Sequence, residues 1–401
     1  MLHSNITRRN GEAASFSDLT LALLAAGVEV SVLAQYCTGF EYRFGILRAR
    51  ASQRTGIPPG IVRKSPLPPI SPPAGWRHAV GGLLDRMPLS GRQAGRKSLE
   101  GADVVLAKNL LSRDALSELR RITSAPVVFN HAGDLAAFEQ YRLSEFRQSY
   151  PDGDLYSVVM DSYDHILCQS TEIVREIEET KPGLSGKLVC LTPSVDWKSI
   201  ETARQAESPY PPGQRALVAI GSFQARKNQL GLLRGLKSML RENEEVHLHF
   251  LGKPLEQEYY QECIRWVEKA RLGDKVHFHG HKDNVLVYLA NCQALFQVSF
   301  AEGFPRVVRE AMALGIPVVS RPLPGMLGLL RPCRDFFSLH AGDQKEIHDA
   351  ATAILEDATN TEKVVISARS LIEKHCSFKR YSIEADALMH KLSGCGGPVR
   401  L

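Results

Sequence analysis

One stretch constrains the fold of this chain more than any other, residues 299–320. It follows a short, mostly apolar run, residues 294–298, and closes on a second one, residues 316–319. Runs of this length are typical of buried parallel strands. Between them, Pro305 is predicted to be the first helical residue and Gly315 to form a left-handed C-terminal cap. The stretch therefore predicts strand, turn, helix and strand, the repeat of a doubly wound α/β sheet.

The turn before this helix is the expected ligand site. In open α/β sheets, ligands bind outside the carboxyl ends of the strands, which is where Glu302, Gly303 and Phe304 fall. Glu310 projects from the helix behind them. The N-terminal end of a helix attracts phosphate, and carboxylates accept charge-assisted hydrogen bonds from vicinal hydroxyls. These residues therefore suit a polyhydroxylated, phosphorylated ligand.

The same residues resemble a known enzyme signature. Glu302 and Glu310 are eight positions apart and are followed by Ala-Met-Ala-x-Gly-x-Pro-Val-Val. This resembles the Glu-x7-Glu motif of retaining, nucleotide-sugar-dependent glycosyltransferases of family 4, which have the GT-B fold. The resemblance implies an α/β protein with two Rossmann-like, doubly wound domains facing a cleft. From spacing alone, two solvated glutamates on an amphipathic helix remain the alternative.

Chain length agrees with two domains. The 401 residues are too many for one typical core and suit two domains of about 190 residues each. The resemblance implies an N-terminal, acceptor-side domain over residues 1–195 and a nucleotide-sugar-binding domain over 215–376. Residues 196–214 are polar, contain three prolines and are predicted to be the linker. A last helix within residues 377–401 is expected to cross back to the first domain.

Composition excludes several other classes. Charged residues make up 23% and hydrophobic residues 44%, and no stretch reaches the roughly 18 apolar residues of a membrane span. No apolar segment follows the first ten residues, so we expect no secretory signal. The eight cysteines form no Cys-x-x-Cys pair, which favours reduced thiols in a cytosolic protein over disulfides or zinc.

The modest net charge of +5 is unevenly distributed. Residues 43–97 contain eleven Lys and Arg but a single acid, Asp85, among many prolines. A basic patch of this kind could contact anionic lipid headgroups or a phosphorylated acceptor, and a solvated surface segment is an equal alternative. No nucleic-acid motif or aromatic interleaving accompanies it, so nucleic acid is not an expected partner. We expect a cytoplasmic protein, with peripheral contact at the inner face of an anionic membrane as an option.

The first turn of the second domain is the predicted phosphate site. A predicted strand ends at Gly221, and Arg226 and Lys227 precede the next helix. Cations there could neutralise a diphosphate leaving group as the glycosyl bond breaks. The family usually has Arg directly after this Gly, whereas this chain has Ser222, so Arg226 is expected to supply the second charge. Two solvated cations before a helix are the alternative.

Two residues of the first domain are candidates through the resemblance. His131 follows a predicted buried strand, and the family's histidine at this place faces the donor sugar. Gly11 lies where the family has a Gly-Gly turn near the donor phosphates. A structural histidine and an ordinary loop glycine are the respective alternatives.

A histidine-rich strand raises the question of a metal. His277, His279 and His281 alternate, so they are predicted to share one strand face. This spacing could bind zinc or copper, but no fourth ligand is evident nearby and the family needs no metal here. We therefore expect no metal. The resemblance implies that Gly280 and His281 lie near the nucleotide base.

The resemblance thus implies a complete reaction. Glu310 would bind the ribose, Glu302 with the amides of Gly303 and Phe304 the sugar, and Lys227 the departing diphosphate. No covalent nucleophile, metal or other cofactor is expected, and the anomeric configuration would be retained. The implied catalytic residues are His131, Lys227 and Glu302; the implied donor-binding residues are Gly11, Gly221, Arg226, Lys227, Gly280, His281, Glu302, Gly303, Phe304, Pro305, Val307 and Glu310.

The expected partners are a nucleoside diphosphate sugar and a hydroxyl acceptor, in cell-surface polysaccharide, glycolipid or secondary-metabolite synthesis. Two other functions stay open. One is a GT-B epimerase that acts on a nucleotide sugar without an acceptor. The other is a non-catalytic partner of another transferase. The second is suggested by Ser222 and by residues 321–325, which lack the acid of the family's Gly-Gly-x-x-Glu turn.

Overall fold

The computed structural model describes residues 2–3, 11–34, 58, 62–64, 96–107, 111, 113–131, 133 and 155–394. Over these residues, the chain forms two parallel β-sheets flanked by helices. Most of the basic segment, residues 43–97, lies outside the described residues. None of the described helices is long and apolar enough to cross a membrane.

The first sheet has seven parallel strands in the order β3-β2-β1-β4-β5-β6-β7. The order reverses between β1 and β4, which is the switch point where a doubly wound sheet opens a ligand crevice. The strands are β1 Leu2–His3, β2 Val32–Ala34, β3 Val62–Lys64, β4 Val105–Ala107, β5 Val127–Asn130, β6 His165–Cys168 and β7 Leu188–Cys190. The accompanying helices are α1 Gly11–Ala25, α2 Arg113–Ile122, α3 Leu155–Asp161 and α4 Thr171–Thr180.

The second sheet has six parallel strands in the order β10-β9-β8-β11-β12-β13. The strands are β8 Arg215–Ile220, β9 Val246–Leu251, β10 Val276–Phe278, β11 Ala294–Gln297, β12 Val318–Ser320 and β13 Phe337–Ser338. The helices are α5 Trp197–Arg204, α6 Gln229–Gly235, α7 Lys237–Glu242, α8 Gln257–Ala270, α9 Val285–Ala290, α10 Arg306–Leu314, α11 Pro324–Leu327, α12 Gln344–Glu356, α13 Ala358–His375 and α14 Phe378–Leu392. Two apolar cores cover its two faces, because side chains alternate along each strand.

The central helix α10 differs from the prediction by one residue at its start. Pro305 has extended backbone angles and forms the N-cap, so the first helical residue is Arg306 and the expected position of Pro305 was wrong. The residue before the helix needs no helical N–H partner, and proline is tolerated there for the same reason as in the first turn. Gly315 ends the helix with φ of +81°, which confirms the predicted left-handed cap.

Residues 196–214, which are predicted to link the two domains, include a helix. They contain α5, whose Ile200 and Ala203 are buried in the core of the second sheet together with Tyr210. The prolines that suggested a linker all follow this helix. At the other end of the chain, α14 lies against α1 and shares an apolar cluster with it.

Candidate active site

The loop before α10 lies between the two sheets and is tightly packed. A Cβ atom on Gly303 would lie 3.0 Å from Gln169 Oε1 and 3.1 Å from the backbone N of Gly133. The backbone N–H of Phe304 donates to Gln169 Oε1 at 3.4 Å. A Cβ on Gly325 would lie only 2.2 Å from the carbonyl carbon of Gly303. Any larger side chain at Gly303 or Gly325 would therefore displace this loop.

Glu302 joins the cationic turn after β8. Its Oε1 accepts from Arg226 Nη1 at 3.0 Å and also pairs with Lys227 Nζ. Burial would raise the pKa of Glu302, but the two adjacent cations hold it below its usual value. Burial lowers the pKa of Lys227, and the Glu302 carboxylate counteracts that shift. The structure thus brings together all three charged residues that the sequence proposed for this part of the site.

The backbone of the turn is fixed by a close contact between strands. A Cβ atom on Gly252, at the end of β9, would lie 1.8 Å from the carbonyl oxygen of Gly221. The end of the Lys227 side chain lies over Gly221, 3.6 Å from where a Cβ would be. Lys227 is therefore held against a turn that has no freedom to move away from it.

The position of Arg226 explains how the chain accommodates Ser222. Ser222 Oγ donates to Gln224 Oε1 at 3.0 Å, and Arg226 Nη2 donates to the same oxygen at 3.2 Å. Arg226 Nη1 is further held by the carbonyl oxygen of Ala301 at 3.2 Å. The guanidinium thus reaches the site from four residues further along the turn. Gln224 was missed in the sequence because no motif marks it.

Glu310 forms a second charged group further along α10. Its Oε1 accepts from Arg306 Nε at 2.6 Å, and Arg306 Nη1 lies 3.1 Å from Asp18 Oδ2. Burial would lower the pKa of Arg306, but Glu310 and Asp18 raise it well above its usual value. The four-residue spacing of Arg306 and Glu310 is a visible helix pairing signal, whereas Asp18 lies in α1, far away in sequence.

Two further residues of the predicted donor set, Phe304 and Val307, lie at the start of α10. Phe304 is buried, and the guanidinium of Arg309 lies over its ring, 5.4 Å from the centroid. Val307 packs against the core beneath the helix. Arg309 is itself 1% exposed and donates to the carbonyl oxygen of Ser194. The sequence reading missed Arg309, since a buried arginine has no signature of its own.

The first sheet contributes the opposite wall. Gln169 follows β6, and His131 follows β5, so both lie at the carboxyl edge of the sheet. His131 is buried, with its ring 5.8 Å from that of Tyr156. Gly11 is the first residue of α1 rather than part of a preceding turn. Gln169 was overlooked, although its place directly after a strand could have suggested it.

The segment after β12, which departs from the family's Gly-Gly-x-x-Glu pattern, forms a contact between the two lobes. The first lobe is built on strands β1–β7 and the second on strands β8–β13. Ser170 Oγ donates to the carbonyl oxygen of Pro324 at 3.3 Å. A Cβ atom on Gly328 would lie 2.9 Å from Thr171 Oγ1. Short α11 therefore packs against the start of α4, and a small residue is needed where the two meet.

The histidines near β10 form a ladder across two strands. His247 Nδ1 lies 2.9 Å from His277 Nε2, and His249 Nδ1 lies 2.9 Å from His279 Nε2. Burial lowers the pKa of His249 to about 3 and lowers that of the other three as well. Four uncharged imidazoles therefore stack on one face of the sheet.

His281 does not share that face, so this prediction was wrong. Gly280 has φ of +65°, which ends the extended backbone, and His281 Nε2 instead lies 3.5 Å from Asp283 Oδ1. Gly280 accepts a hydrogen bond from the backbone N–H of Gly252 at 2.8 Å, which connects it to the turn of Gly221. Within the described part of the chain, no group of three or more His, Cys, Asp or Glu side chains could hold a metal ion.

Comparison with known proteins gives a partial family match. Residues 201–371 match the family model described as glycosyl transferases group 1. The N-acetyl-alpha-D-glucosaminyl L-malate synthase of Bacillus anthracis is 23% identical over 201 residues, or 49% of this chain and 52% of the relative. The match thus spans about half the length of that curated relative.

Solved structures resemble the whole chain. HepE from Anabaena, in complex with UDP and glucose, has a TM-score of 0.70 at 17% identity, covering 97% of this chain and 98% of that one. Sucrose-phosphate synthase from Thermosynechococcus elongatus has a TM-score of 0.68 at 17% identity, covering 96% of this chain and 94% of that one. The prediction of a GT-B fold is confirmed.

Proposed function

We propose, for a chain that has the GT-B fold and whose residues 201–371 match the group 1 glycosyl transferases, transfer of a sugar from a nucleoside diphosphate to a hydroxyl acceptor. The observation that carries this proposal is the pairing of Glu302 with Arg226 and Lys227 at the N-terminal end of α10. Two cations and a helix N-terminus suit a diphosphate, and a carboxylate beside them suits sugar hydroxyls.

The donor is proposed to lie across the second sheet. Its diphosphate would meet Lys227 and Arg226 above Gly221, displacing part of their contact with Glu302. The freed carboxylate, with the amides of Gly303 and Phe304, would then hold the sugar. HepE from Anabaena binds UDP and glucose in its solved complex, which supports a nucleoside diphosphate as the leaving group here.

The nucleoside is proposed to bind on the side of the diphosphate opposite the sugar, with separate contacts for its base and its ribose. Gly280 and His281 would flank the base, because they follow β10 and the Gly280 carbonyl oxygen accepts from Gly252, which lies beside the Gly221 turn. Glu310 would accept hydrogen bonds from the ribose hydroxyls. Val307 and Pro305 would shape the pocket without forming polar contacts.

The chemical step is proposed to retain configuration. The bond from the anomeric carbon to the diphosphate oxygen breaks while the acceptor oxygen attacks from the same face. The acceptor proton passes to the departing phosphate oxygen, so no side-chain nucleophile is required. Lys227 and Arg226 take up the developing negative charge, which is where preorganised electrostatics contribute most. His131 would orient the sugar from the first sheet.

A binding panel tests the proposal. Thermal shifts are measured with UDP, GDP, ADP and their common sugar conjugates, and the best donor is then tried with saccharide, lipid-linked and small-molecule hydroxyl acceptors. We expect one nucleoside diphosphate to raise Tm, and its sugar to be transferred only when an acceptor is present. Conversion of the sugar nucleotide without an acceptor would indicate an epimerase. The lack of any nucleotide binding would indicate a non-catalytic partner.

The place of action is part of the same proposal. The reaction is assigned to the cytoplasm, with the basic residues 43–97 meeting anionic lipid at the inner membrane face. Sedimentation with vesicles that contain phosphatidylserine, compared with neutral vesicles, measures this contact. Equal recovery with both would contradict it.

A further inference from the structure

Three charged side chains join α10 to α1. Arg306 Nε donates to Glu310 Oε1 at 2.6 Å, and Arg306 Nη1 lies 3.1 Å from Asp18 Oδ2. Arg306 and Glu310 belong to the second lobe, whereas Asp18 belongs to the helix that follows β1 of the first. We call Asp18, Arg306 and Glu310 the clasp. It is a side-chain link between the two lobes beside the proposed ribose site.

The clasp is shielded from solvent, which makes its geometry specific. The three side chains are 21%, 27% and 12% exposed, in the order Asp18, Arg306 and Glu310. Burial raises the pKa of Asp18, and the adjacent Arg306 opposes that shift. A guanidinium has several donors in a fixed plane, so it can bind two carboxyl groups at once where a lysine would bind as a single point charge.

We propose that Arg306 is a positioning residue that fixes Glu310 for the donor and transmits donor binding to α1. The inference rests on the proposed function, in which Glu310 binds the ribose. Of the contacts within the described part of the chain, only Oε1 of Glu310 takes part, which leaves Oε2 for a ribose hydroxyl. A carboxylate already held in one rotamer loses less entropy when it binds a ligand.

The same geometry couples the lobes. A ribose bound to Glu310 also immobilises Arg306, and Arg306 then restrains Asp18 and α1. Because α1 begins at Gly11, it lies after the first strand of the opposite lobe, at the sheet's switch point. The clasp therefore gives donor binding in the second lobe an energetic effect on the first, which is what coupling between distant sites requires.

Two measurements separate positioning from folding. Calorimetry compares the best binder among UDP, GDP and ADP with its 2′-deoxy analogue, and hydrogen exchange follows the peptide that contains α1 with and without that nucleotide. We expect the wild type to prefer the ribonucleotide by roughly tenfold, since the lost hydroxyl leaves Oε2 of Glu310 without its proposed hydrogen-bond partner. We also expect the nucleotide to slow exchange in α1.

Arg306→Leu is expected to lose both the roughly tenfold preference and the slowing in α1. Asp18→Asn is expected to lose the nucleotide-dependent slowing of hydrogen exchange in α1. Its affinity for the nucleotide should fall less than that of Arg306→Leu. Arg306→Lys keeps the positive charge but not the planar guanidinium with its several donors. It is therefore expected to keep part of the preference for the ribonucleotide but none of the slower hydrogen exchange in α1. The matched control is Arg369→Leu, which removes an exposed pair with Glu373 four residues away and should change neither measurement.

The outcomes distinguish failure of the clasp proposal from failure of the proposed function on which it rests. A wild type that binds no nucleoside diphosphate overturns both. A wild type that binds one, with Arg306→Leu retaining the full ribose preference or the slowing in α1, overturns the clasp alone. If Arg306→Leu does not fold, the proposal stands or falls on Asp18→Asn and Arg306→Lys. Unchanged slowing in either of those two variants overturns it.

Discussion

Two regions around helix α10 combine charges in opposite proportions. Before its N-terminal end, one carboxylate, Glu302, meets two cations, Arg226 and Lys227. Further along, one guanidinium, Arg306, meets two carboxyl groups, one of them Glu310. An excess of cations suits phosphate, and an excess of acceptors suits hydroxyl groups. One short segment therefore offers different chemistry to different parts of the proposed nucleotide.

The two regions also differ in what holds them in place. We call the group of Glu302, Arg226 and Lys227 the cationic region, and the group of Arg306, Glu310 and Asp18 the acidic region. The cationic region is fixed by close backbone approaches, of Gly252 to Gly221 and of Gly325 to Gly303. The acidic region is fixed by side chains, through Arg306. Backbone contacts leave little freedom, whereas ion pairs between side chains can be exchanged for a ligand. The comparison predicts that substitutions will affect turnover most in the cationic region and donor affinity most in the acidic one.

The largest effect is expected for Lys227→Ala. Loss of a cation that is proposed to face the departing diphosphate should lower kcat by about 100- to 1,000-fold, as removal of one preorganised electrostatic contact does in other enzymes. Steady-state kinetics with the identified donor and acceptor measures it. The exposed Lys269→Ala serves as the control. Turnover within a few fold of the wild type in Lys227→Ala would show that the cationic region does not face the reacting bond.

A smaller effect, mainly on donor affinity, is expected for Glu310→Ala. The proposed ribose contact would be made equally before and during the reaction, so its loss should raise the donor KM by roughly tenfold or more and change kcat less. Glu310→Gln keeps one acceptor oxygen, so its donor KM should lie between those of the wild type and Glu310→Ala. Glu373→Ala removes a carboxylate from a comparable helical pair outside the site. A drop in kcat at constant KM would reverse the assignment of the two regions.

Gly252→Ala tests the backbone support. Its Cβ would lie 1.8 Å from the carbonyl oxygen of Gly221, so the two strand ends must separate. We expect a loss of stability of about 1–3 kcal/mol, typical of overpacking, together with weaker donor binding. Chemical denaturation and calorimetry measure the two effects. Gly273→Ala, where an added Cβ meets nothing within 4 Å, is the matched control. Equal behaviour of both variants would remove the argument for a rigid cationic turn.

The sequence was most informative where local rules determine structure. The strand, turn and helix around Glu302 could be predicted because Gly315 needs a left-handed backbone and the flanking apolar runs have the length of buried strands. Pro305 was misplaced by one residue, since proline is accepted both in a helix cap and in the first turn. Glycine and proline signals thus locate a helix or strand but do not determine the residue at which it begins.

Long-range partners could not be predicted. Asp18 meets Arg306 only because α1 and α10 come together across the two lobes, and nothing in either segment indicates the other. The histidine ladder depends on the register that pairs His277 with His249, which alternation along one strand cannot reveal. Gln224 reaches Arg226 through a tight turn whose geometry has no sequence signature. These contacts follow from how the elements assemble, whereas the sequence patterns describe single elements.

The smallest expected effect concerns the histidine ladder, which unlike both charged regions contains no counter-charge among its four rings. Lys275 lowers the pKa of His247 further, Lys282 that of His279, and Asp274 raises that of His277 in part. Because burial holds the pKa of His249 at about 3, the unfolded chain binds more protons than the folded one once the pH falls below the ordinary value of 6.5.

The ladder should therefore contribute full stability above pH 6.5 and progressively less toward pH 5. His249→Phe removes one of these protonation sites, so between pH 7.5 and 5.5 its Tm should fall by about 3 °C less than that of the wild type. The exposed His340→Asn controls for the loss of any histidine, and carboxylates common to all three proteins cancel in the comparison. A parallel fall of Tm in His249→Phe and the wild type would mean that the ladder is protonated at no cost. In that case, the folded protein would stabilise a positive charge on the ladder, as it stabilises the paired charges of the other two regions.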